Sequence, residues 1–539
     1  MGSDSGVLSP LKYPVFRMIW VATLVANLGT LVQNVAAAWL MAALTPSHGM
    51  VALVQTSTVL PFMVLAIAAG AIADNFDRRL VMQTAQCFMA VVSTMLAIAS
   101  GLGWLTPWTL LAFTFLLGLG AAMHLPAWQS STRDLVSRED LAAAVTMNSM
   151  SYNLMRSIGP AIGGVLVASQ GPTVAFAFNA VCYLGLIVVL MLWKPRREVS
   201  ALPAERLGSA VAAGLRYVWV SPNLILILLR GAVFGVAAVG LLALLPVVVR
   251  DVLKAEASVF GILLGGFGLG GILGALAGVW VRRRASLETV VAAAFLVSAL
   301  GSILLAFATW GPQAMVAAVI AGFAWVSALS VFNASIQLAA PRWVLGRALS
   351  IYQTTAFGGM ALGSWLWGEI SAMSNPRTAL LVAAGVLTAG ALIGRRWRMP
   401  EFSDADLEPA NRFHEPALRL ELKARSGPIL VMIDWRIAEK DVDDFLELMV
   451  ERRRIRRRDG GRKWALLRDL EHPEIWVESY HVPTWIDYIR HNHRRTNADT
   501  ANMDRLLALH SGDGPPSVHR MIERYSVPER EDLRLIDPQ

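Results

Sequence analysis

The hydrophobic pattern divides the chain into two parts of different character. As far as about Trp397, long apolar runs alternate with brief polar breaks, whereas residues 398–539 are rich in Arg, Asp, Glu and His. A helix needs roughly 20 mostly apolar residues to cross the hydrocarbon core of a bilayer. Because a backbone within lipid must satisfy its own hydrogen bonds, each such run is expected to be helical. The first part therefore predicts a polytopic membrane domain.

The apolar runs predict twelve transmembrane helices in two sets of six. The first set is Phe16–Leu44, Val51–Ala73, Leu80–Leu102, Trp108–Met123, Ala142–Ser169 and Val174–Trp193. The second set is Leu224–Val249, Ala257–Val281, Thr289–Ala308, Met315–Phe332, Ala348–Met373 and Ala379–Ile393. Two pseudo-repeats of this kind are a transporter architecture, with substrate bound near the midplane between them.

The pattern after Trp397 predicts a small soluble domain in which strands and helices alternate. The order is strand, helix, strand, strand, helix, strand, which is that of a ferredoxin-like unit. The predicted elements are Ile429–Ile437, Asp441–Arg458, Lys463–Asp469, Ile475–His481, the mainly helical Trp485–His510 and Ser517–Tyr525. The predicted fold class is an all-α polytopic membrane protein followed by a small α+β ferredoxin-like cytoplasmic domain.

These elements give six segments along the chain. They are an N-terminal half (1–193), a cytoplasmic linker (194–223), a C-terminal half (224–397), a second linker (398–428), the ferredoxin-like domain (429–525) and a tail (526–539). Within the first linker, Ala204–Val220 places Leu207, Val211 and Leu215 on one helix face. This stretch is expected either to lie as a helix along the inner membrane surface or to be a disordered linker.

Composition agrees with a membrane protein and indicates its orientation. The 539 residues are 55% hydrophobic and 16% charged, with a net charge of +8. Alternate connections concentrate arginine, as at Arg78, Arg79 and Arg282–Arg284, whereas the opposite ones carry little beyond Arg250 and Arg377. By the positive-inside rule both termini are predicted to be cytoplasmic.

The placement of the basic residues also indicates a partner. Basic residues at the ends of apolar runs fit anionic lipid as a partner better than nucleic acid. The two cysteines predict no disulfide.

A short polar loop between the second and third runs carries the first functional signal. It reads Gly70-Ala-Ile-Ala-Asp74-Asn-Phe-Asp77-Arg78-Arg79. Glycine permits close helix approach, and the carboxylate and arginines can form charge-assisted hydrogen bonds at a helix junction. The loop resembles the signature between helices two and three of the major facilitator superfamily, with Asp77 in place of a second glycine. The resemblance implies an inner gate built from Gly70, Asp74, Arg78 and Arg79. The alternative is a topology anchor.

The fifth run carries the second signal, Arg156-Ser-Ile-Gly159-Pro160-Ala-Ile-Gly163-Gly164. Small residues allow two helices to approach closely, and proline adds a bend. The stretch resembles the fifth-helix motif of exporters in the same superfamily, which implies export with proton antiport. Ordinary tight packing would also explain the glycines. Glycine is dense in Phe260–Gly271 as well, where close packing or a gating bend is expected rather than dinucleotide binding.

Polar side chains within the apolar runs are candidates for a substrate cavity, because buried charge is costly in lipid and marks function by default. Each could instead form an interhelical hydrogen bond, and Arg230 could snorkel to the surface. The candidates are Asn27, Gln33, Asn34, Gln55, Asn148, Arg230 and Gln353. No Asp or Glu falls in the middle of a run, so proton coupling would depend on Asp74 or Glu369 or be indirect. No phosphate-binding loop of the ATPase type is present.

The soluble domain adds a second resemblance. The segments Trp464–Asp469, Trp476–His481 and Pro483–Trp485 resemble the small domain appended to exporters of the enterobactin-exporter branch, which is similar to antibiotic-biosynthesis monooxygenases. That resemblance implies homodimerisation through this domain. Two histidines at 491 and 493 point to different helix faces, so no metal is predicted, and no cofactor motif is present. The run Glu451–Arg458 is interpreted as a solvated basic face.

Together these features predict a secondary active transporter in a bacterial inner membrane. The expected cargo is a siderophore, secondary metabolite or drug, exported by a proton-driven alternating-access cycle, and the protein is not expected to be an enzyme. Two alternatives remain open: a membrane-tethered monooxygenase acting on the transported compound, and a transporter that the C-terminal domain regulates.

Overall fold

The computed structural model describes residues 9–137, 140–193, 207–281, 284–341, 344–400 and 413–523, apart from 414, 417, 421 and 424. Long helices dominate as far as Ile393, and a mixed α+β region follows. The chain forms two compact units. The first comprises Met1–Glu205, Leu226–Ser335 and Leu349–Glu401, and the second comprises Arg206–Ile225, Ile336–Ala348 and Phe402–Gln539.

The helices of the first half are α1 (Pro14–Leu44), α2 (His48–Asn75), α3 (Arg78–Gly101), α4 (Pro107–Leu135), α5 (Leu141–Gln170) and α6 (Pro172–Leu192). The linker contains α7 (Leu207–Val220). The second half contains α8 (Pro222–Val247), α9 (Ala257–Val281), α10 (Leu287–Ala306), α11 (Gly311–Ala339), α12 (Leu345–Met373) and α13 (Pro376–Ile393). A π-helical turn, Val248–Val252, follows α8.

Local chemistry sets the ends of these helices. Proline occupies the first turn of α1, α4, α6 and α13, where its fixed φ suits a helix and its missing N–H is not needed. Ser47 and Asp77 cap α2 and α3 by accepting hydrogen bonds from backbone N–H groups. Asp77, which departs from the family loop, therefore starts the third helix.

Ten helices in the described part of the chain are long and apolar enough to span a membrane. The helices α5 and α12 lie outside that set, although they contain 30 and 29 residues. Two predicted spans were too short. The helix α4 continues through Pro126 to Leu135, and α11 continues to Ala339. Polar residues can extend a helix when their side chains form hydrogen bonds with its backbone. In α4, the Ser131 hydroxyl donates to the carbonyl oxygen of Ala127.

The second unit contains the α+β domain. Its elements are β1 (Ile429–Arg436), α14 (Val442–Asp459), β2 (Arg462–Arg468), β3 (Ile475–Val482), α15 (Trp485–His493), α16 (Asn497–Leu509) and β4 (Ser517–Ile522). The strands form an antiparallel sheet in the order β2-β3-β1-β4. Every predicted strand is present, and the predicted final helical stretch is divided into α15 and α16. Trp435, Phe445 and Tyr480 fill the core and are at most 1% exposed.

The linker helix α7 packs against the α+β domain within this second unit. The guanidinium of Arg458, on α14, lies 5.5 Å from the centroid of the Tyr217 ring. Tyr217 and Val218 are buried, at 3% and 6% exposed. The expected alternative of a disordered linker is therefore wrong for Leu207–Val220, which is helical.

Candidate transport gate

Among the described residues, contacts of α5 with α9 and of α2 with α12 join the six-helix halves, and glycine brings the first pair together. A Cβ on Gly164 of α5 would lie 2.7 Å from Cα of Gly261 on α9. One turn along, a Cβ on Gly265 would lie 2.9 Å from the carbonyl oxygen of Ser157. These distances are too short for any side chain larger than hydrogen. The glycines of both motifs therefore serve the close packing that the sequence predicted.

Gly159 and Gly163 face a different neighbour within the first half. A Cβ on Gly159 would lie 2.9 Å from Cβ of Leu31, and one on Gly163 would lie 3.0 Å from Cα of Val32. The fifth-helix motif thus packs on α1 and α9 at once. Pro160 is buried between these contacts, so the motif is a two-sided packing surface.

Arg156 lies at the same seam. Its guanidinium carbon is 5.2 Å from the ring centroid of Phe267, on α9. A cation over an aromatic face is stabilised by the ring quadrupole, more strongly where water is excluded. Phe267 is 3% exposed. Arg156 therefore contacts the opposite half, a position from which it can respond to separation of the halves.

The second pair consists of α2 and α12, which pack against each other in antiparallel directions. The Thr56 hydroxyl donates a hydrogen bond of 3.0 Å to the carbonyl oxygen of Ala361. Further along, the rings of Phe62 and Phe357 lie 5.0 Å apart, centroid to centroid. We call the end that carries the α1–α2 and α12–α13 connections the distal end. Apart from the contact of Phe62 with Phe357, which lies near the middle of both helices, the contacts described for the two pairs lie in the distal halves of their helices.

An ion network closes the distal end between the halves. Nε2 of His48, the first residue of α2, lies 3.1 Å from Oδ2 of Asp251. Nδ1 lies 3.1 Å from the backbone oxygen of Ser371 at the end of α12. Nδ1 also lies 3.0 Å from the Ser371 hydroxyl, which can donate or accept, so both ring nitrogens have partners on the opposite half.

Arg250 completes this distal network. Its guanidinium holds the Asp251 carboxylate through Nε at 2.5 Å and Nη2 at 2.8 Å. Nη1 also donates to the backbone oxygens of Ala42 and Thr45, at the end of α1, the latter at 2.9 Å. One arginine of the second half thus caps a helix of the first half, since carbonyls at a helix end lack partners within the helix.

Glu369 adds a second acid to the distal network. A Cβ on Gly49 would lie 2.8 Å from Oε1 of Glu369, which packs the carboxylate against the backbone of α2. We define the distal network as His48, Arg250, Asp251, Glu369 and Ser371. Its two carboxylates and one imidazole are groups that can exchange protons.

The predicted inner-gate loop lies at the opposite end of α2, some 40 Å away for a helix of 28 residues. Gly70 and Asp74 fall within α2, but their side chains lie outside the described residues. Arg79 is bound by the end of α6: Nε donates to Leu190 O and Nη2 to Met191 O, both at 2.8 Å. Arg78 is half-buried at the start of α3. The Asp74 relay remains a prediction.

Gln33 belongs to a buried cluster within the first half. Its Oε1 accepts hydrogen bonds from Ser93 Oγ at 2.9 Å and from the amide nitrogen of Asn179. Gln33 is 3% exposed and Asn179 is fully buried. The cluster joins α1, α3 and α6, which is the interhelical alternative considered for this residue. The expected cavity role of Gln33 does not fit this position.

Arg230 also has a different role from the expected one. Its Nη1 donates to Oε2 of Glu288, the acid at the start of α10, and to the backbone oxygen of Trp397 at 3.3 Å. Glu288 in turn accepts from the backbone N–H of Met399 at 2.8 Å. Arg230 is 5% exposed. It therefore neither snorkels nor presents a free charge to a substrate, because its charge is neutralised within the second half.

The remaining polar candidates are half-buried. Asn148 donates to the Thr132 hydroxyl at 3.4 Å, which joins α5 to α4. The others, on α1, α2 and α12, are Asn27, Asn34, Gln55 and Gln353. Their lining of a substrate cavity remains a prediction.

The sequence interpretation does not include the distal network. His48 precedes the second apolar run, and Arg250 is counted only among the few charges of the opposite connections. The adjacent opposite charges of Arg250 and Asp251 at the end of a run were the available signal. Their partner on another helix could not be inferred from spacing.

The acidic and basic residues of the α+β domain form a buried ion network. Glu478 is fully buried and accepts from Nε of Arg456 at 2.9 Å and from Trp464 Nε1 at 3.2 Å. Burial alone would raise the pKa of Glu478, but Arg456 and Arg452 lower it to about 2. The predicted solvated basic face is thus wrong for Arg452 and Arg456, which are 2% and 1% exposed.

His491 lies beside this buried ion network as a neutral ring. Arg456 Nη1 lies 3.0 Å from its Nε2, and because a guanidinium can only donate, Nε2 must accept. Burial, and then Arg456, lower the pKa of His491 well below its usual range. Among the described residues no group of three His, Cys, Asp or Glu side chains could hold a metal ion.

Comparison with known proteins agrees with this architecture. Residues 5–527 match the transmembrane secretion effector family. The multidrug efflux pump Tap of Mycobacterium tuberculosis is 27% identical over 420 residues, covering 75% of this chain and 97% of Tap. The enterobactin exporter EntS of Salmonella typhimurium is 28% identical over 427 residues, covering 74% of this chain and 98% of EntS.

Two solved structures show the same fold. One is a bacterial homologue of the human lysosomal transporter Spinster in an inward-facing, occupied conformation, with a TM-score of 0.57 and 16% identity over 73% of this chain and 98% of that one. The other is a POT family transporter in complex with 5-aminolevulinic acid, with a TM-score of 0.60 and 12% identity over 71% and 95%. The predicted resemblance to major facilitator exporters is confirmed, and this chain belongs to the transmembrane secretion effector family of membrane transporters.

Proposed function

We propose that the protein exports a small molecule across a bacterial inner membrane by alternating access, driven by protons. The distal network is the observation that carries the proposal, because it joins the two halves at one end of the unit through His48, Arg250 and Asp251. A transporter must open and close each end in turn around its site. The packed glycines between α5 and α9, together with the distal network, would suit that cycle.

The distal closure corresponds to an inward-facing state if the chain has the proposed topology. Twelve spans with both termini in the cytoplasm would put the distal end outside. The arginines of the opposite connections support this orientation by the positive-inside rule. A fluorescent tag joined to the C-terminus, tested for protection in intact cells and in everted vesicles, would check it.

A siderophore, a secondary metabolite or a hydrophobic drug is the proposed cargo. EntS, an enterobactin exporter, and Tap, a multidrug efflux pump, support these classes. Deleting the gene from its host and comparing secreted with retained metabolites would identify the compound. A cargo should accumulate inside the deletion strain and disappear from its medium.

Proton coupling is tested in everted vesicles with that compound in labelled form. We expect uptake when the vesicle lumen is acidic, and loss of uptake when an ionophore collapses the pH gradient. Uptake that ignores the gradient would refute the coupling while leaving export itself intact.

The α+β domain is proposed to form a homodimer and to regulate transport rather than to catalyse a reaction. The edge strand β4 is exposed along most of its length, and an exposed sheet edge is a surface for pairing with a second copy. Light scattering of the full chain, with and without an Arg520→Glu change in β4, would test dimerisation. A monomer in both cases would exclude it.

A further inference from the structure

A groove in the second unit collects cationic side chains from three elements. Arg216 comes from α7, Arg453 and Arg457 come from α14, and Arg462 and Lys463 begin β2. The groove has a volume of about 490 Å³, which is within the range of small-molecule pockets. We call these five residues and the space between them the basic groove. Among the described residues that line it there is no Asp or Glu.

Five of the six arginines of α14 fall into two groups that differ in neutralisation. Arg452 and Arg456 face Glu478, and Arg458 pairs with Asp459 and Asp499. Arg453 and Arg457 are exposed and line the groove. The ion pairs of α14 are thus on its buried face, and its exposed arginines contribute positive charge to the groove.

Arg216 gives the groove an interior donor. Its Nε is buried with no hydrogen-bond partner among the described residues. Burial, and then the nearby charge of Arg462, lower the pKa of Arg216. The charges of Asp459 and Asp487 oppose this effect. A buried N–H without a hydrogen-bond partner is costly, and a bound anion could accept from it.

The chemistry of the lining selects phosphate over a single carboxylate. Four guanidinium groups present forked donors that match phosphate oxygens in pairs. A phosphate monoester carries nearly two negative charges at neutral pH, and a diphosphate carries more. The phosphodiester of a lipid headgroup carries one charge, but its two non-bridging oxygens can accept a forked pair of hydrogen bonds from a guanidinium. Trp464 and Val220 add an apolar wall, which suits the organic part of a phosphate ester.

We propose that the basic groove binds a phosphate-bearing anion, which is either the headgroup of an anionic phospholipid or a soluble diphosphate. The ligand would bridge α7 and α14. Because α7 belongs to the segment of chain between the two six-helix sets, the groove is a regulatory site that couples this anion to the linker. The site is separate from the distal network, so its test does not depend on the cargo.

Binding is measured by calorimetry on the full chain in a neutral detergent at low salt. Three probes are titrated: inorganic pyrophosphate, dihexanoyl phosphatidylglycerol and dihexanoyl phosphatidylcholine. The first two distinguish a soluble from a lipid source, and the third controls for the acyl chains. We expect one or both of the anionic probes to bind with a Kd below about 1 mM, and more weakly as salt is added.

The variant R453Q/R457Q tests the location. We expect it to weaken binding at least tenfold, which is about 1.4 kcal/mol. The matched control, R436Q/R505Q, removes the same charge from exposed positions on β1 and α16 and should bind like the wild type. As a measurement that needs no variant, the bound anion should protect Lys463 from acetylation, read by mass spectrometry.

The possible outcomes decide the proposal. Binding of pyrophosphate alone assigns a soluble ligand, and binding of phosphatidylglycerol alone assigns a lipid headgroup. The proposal is overturned if neither anion binds, if phosphatidylcholine binds equally well, or if R453Q/R457Q and R436Q/R505Q behave alike.

Discussion

Replacing His48 with asparagine should open the distal end. Asparagine can still reach Ser371, but it is too short to hold Asp251 and carries no charge. In the wild type, Nε2 of His48 lies 3.1 Å from the Asp251 carboxylate, and hydrogen bonds to charged groups contribute about 1.5–3 kcal/mol. Because the side chain of Asp251 is 34% exposed, we use the lower figure. It corresponds to about a tenfold change in the ratio of closed to open molecules.

That change is large enough to measure. If about 95% of wild-type molecules are closed at the distal end, a tenfold loss leaves about 65% closed. Spin labels at Leu102→Cys and Met373→Cys report the distance between the halves, since these distal positions are 54% and 86% exposed. The native cysteines 87 and 182 are first replaced by alanine. His48→Asn should then add a longer distance to the distribution.

Arg377→Gln is the matched control for this assay, because Arg377 is a distal cation that contacts Ala306 and Phe307 within its own half. Its distance distribution should be that of the wild type. A His48→Asn protein with wild-type distances would refute the role of the distal network in joining the halves.

Three further results are expected. Gly261→Val should reduce transport at least tenfold, because its side chain would meet the α5 backbone, whereas Gly185→Val, which faces open space on α6, should transport normally. Glu478→Gln should speed hydrogen exchange in β3, since breaking a buried ion pair costs about 3–5 kcal/mol. In the wild type, the stabilisation that the Glu478 ion pair gives to the fold is present above about pH 4.5. It is lost as the pH falls toward the lowered pKa of Glu478, which is about 2. Asp74→Asn should impair transport more than any single change among Arg282–Arg284, and equal losses would contradict an asymmetric inner gate.

Much of the fold could be predicted because two sequence patterns are strong, although ten helices of the described residues, and not twelve, are long and apolar enough to span a membrane. Uniformly apolar runs predicted the long helices, and alternation predicted the sheet. The ends of α4 and α11 were missed because hydropathy measures where a helix can contact lipid, and a helix can continue beyond that into polar surroundings. The sequence does not decide whether the first linker is helical or disordered. The reason is that Tyr217 of this linker packs against α14, which lies more than 200 residues away in the chain.

The candidate site was predicted less well, for a physical reason. Polarity within an apolar run shows that a side chain needs a partner, but not which partner it has. Gln33 and Arg230 were found by this criterion and are satisfied by Asn179 and Glu288 within their own halves. Close packing at the glycines of α5 could be predicted, because a close approach of two helices requires residues without side chains, and these can be read from the sequence.

The position of the ionisable groups also constrains how protons can act. No Asp or Glu was found in the middle of an apolar run, and the distal network places Asp251, Glu369 and His48 at one end of the seam instead. In the proposed cycle, a proton taken up there would make no contact with a cargo bound near the midplane between the halves. By linkage, it can shift an equilibrium only through the states that it distinguishes. Because such a shift changes the fraction of molecules that can bind the cargo from one side, pH should change the apparent affinity for the cargo without a direct contact between proton and cargo.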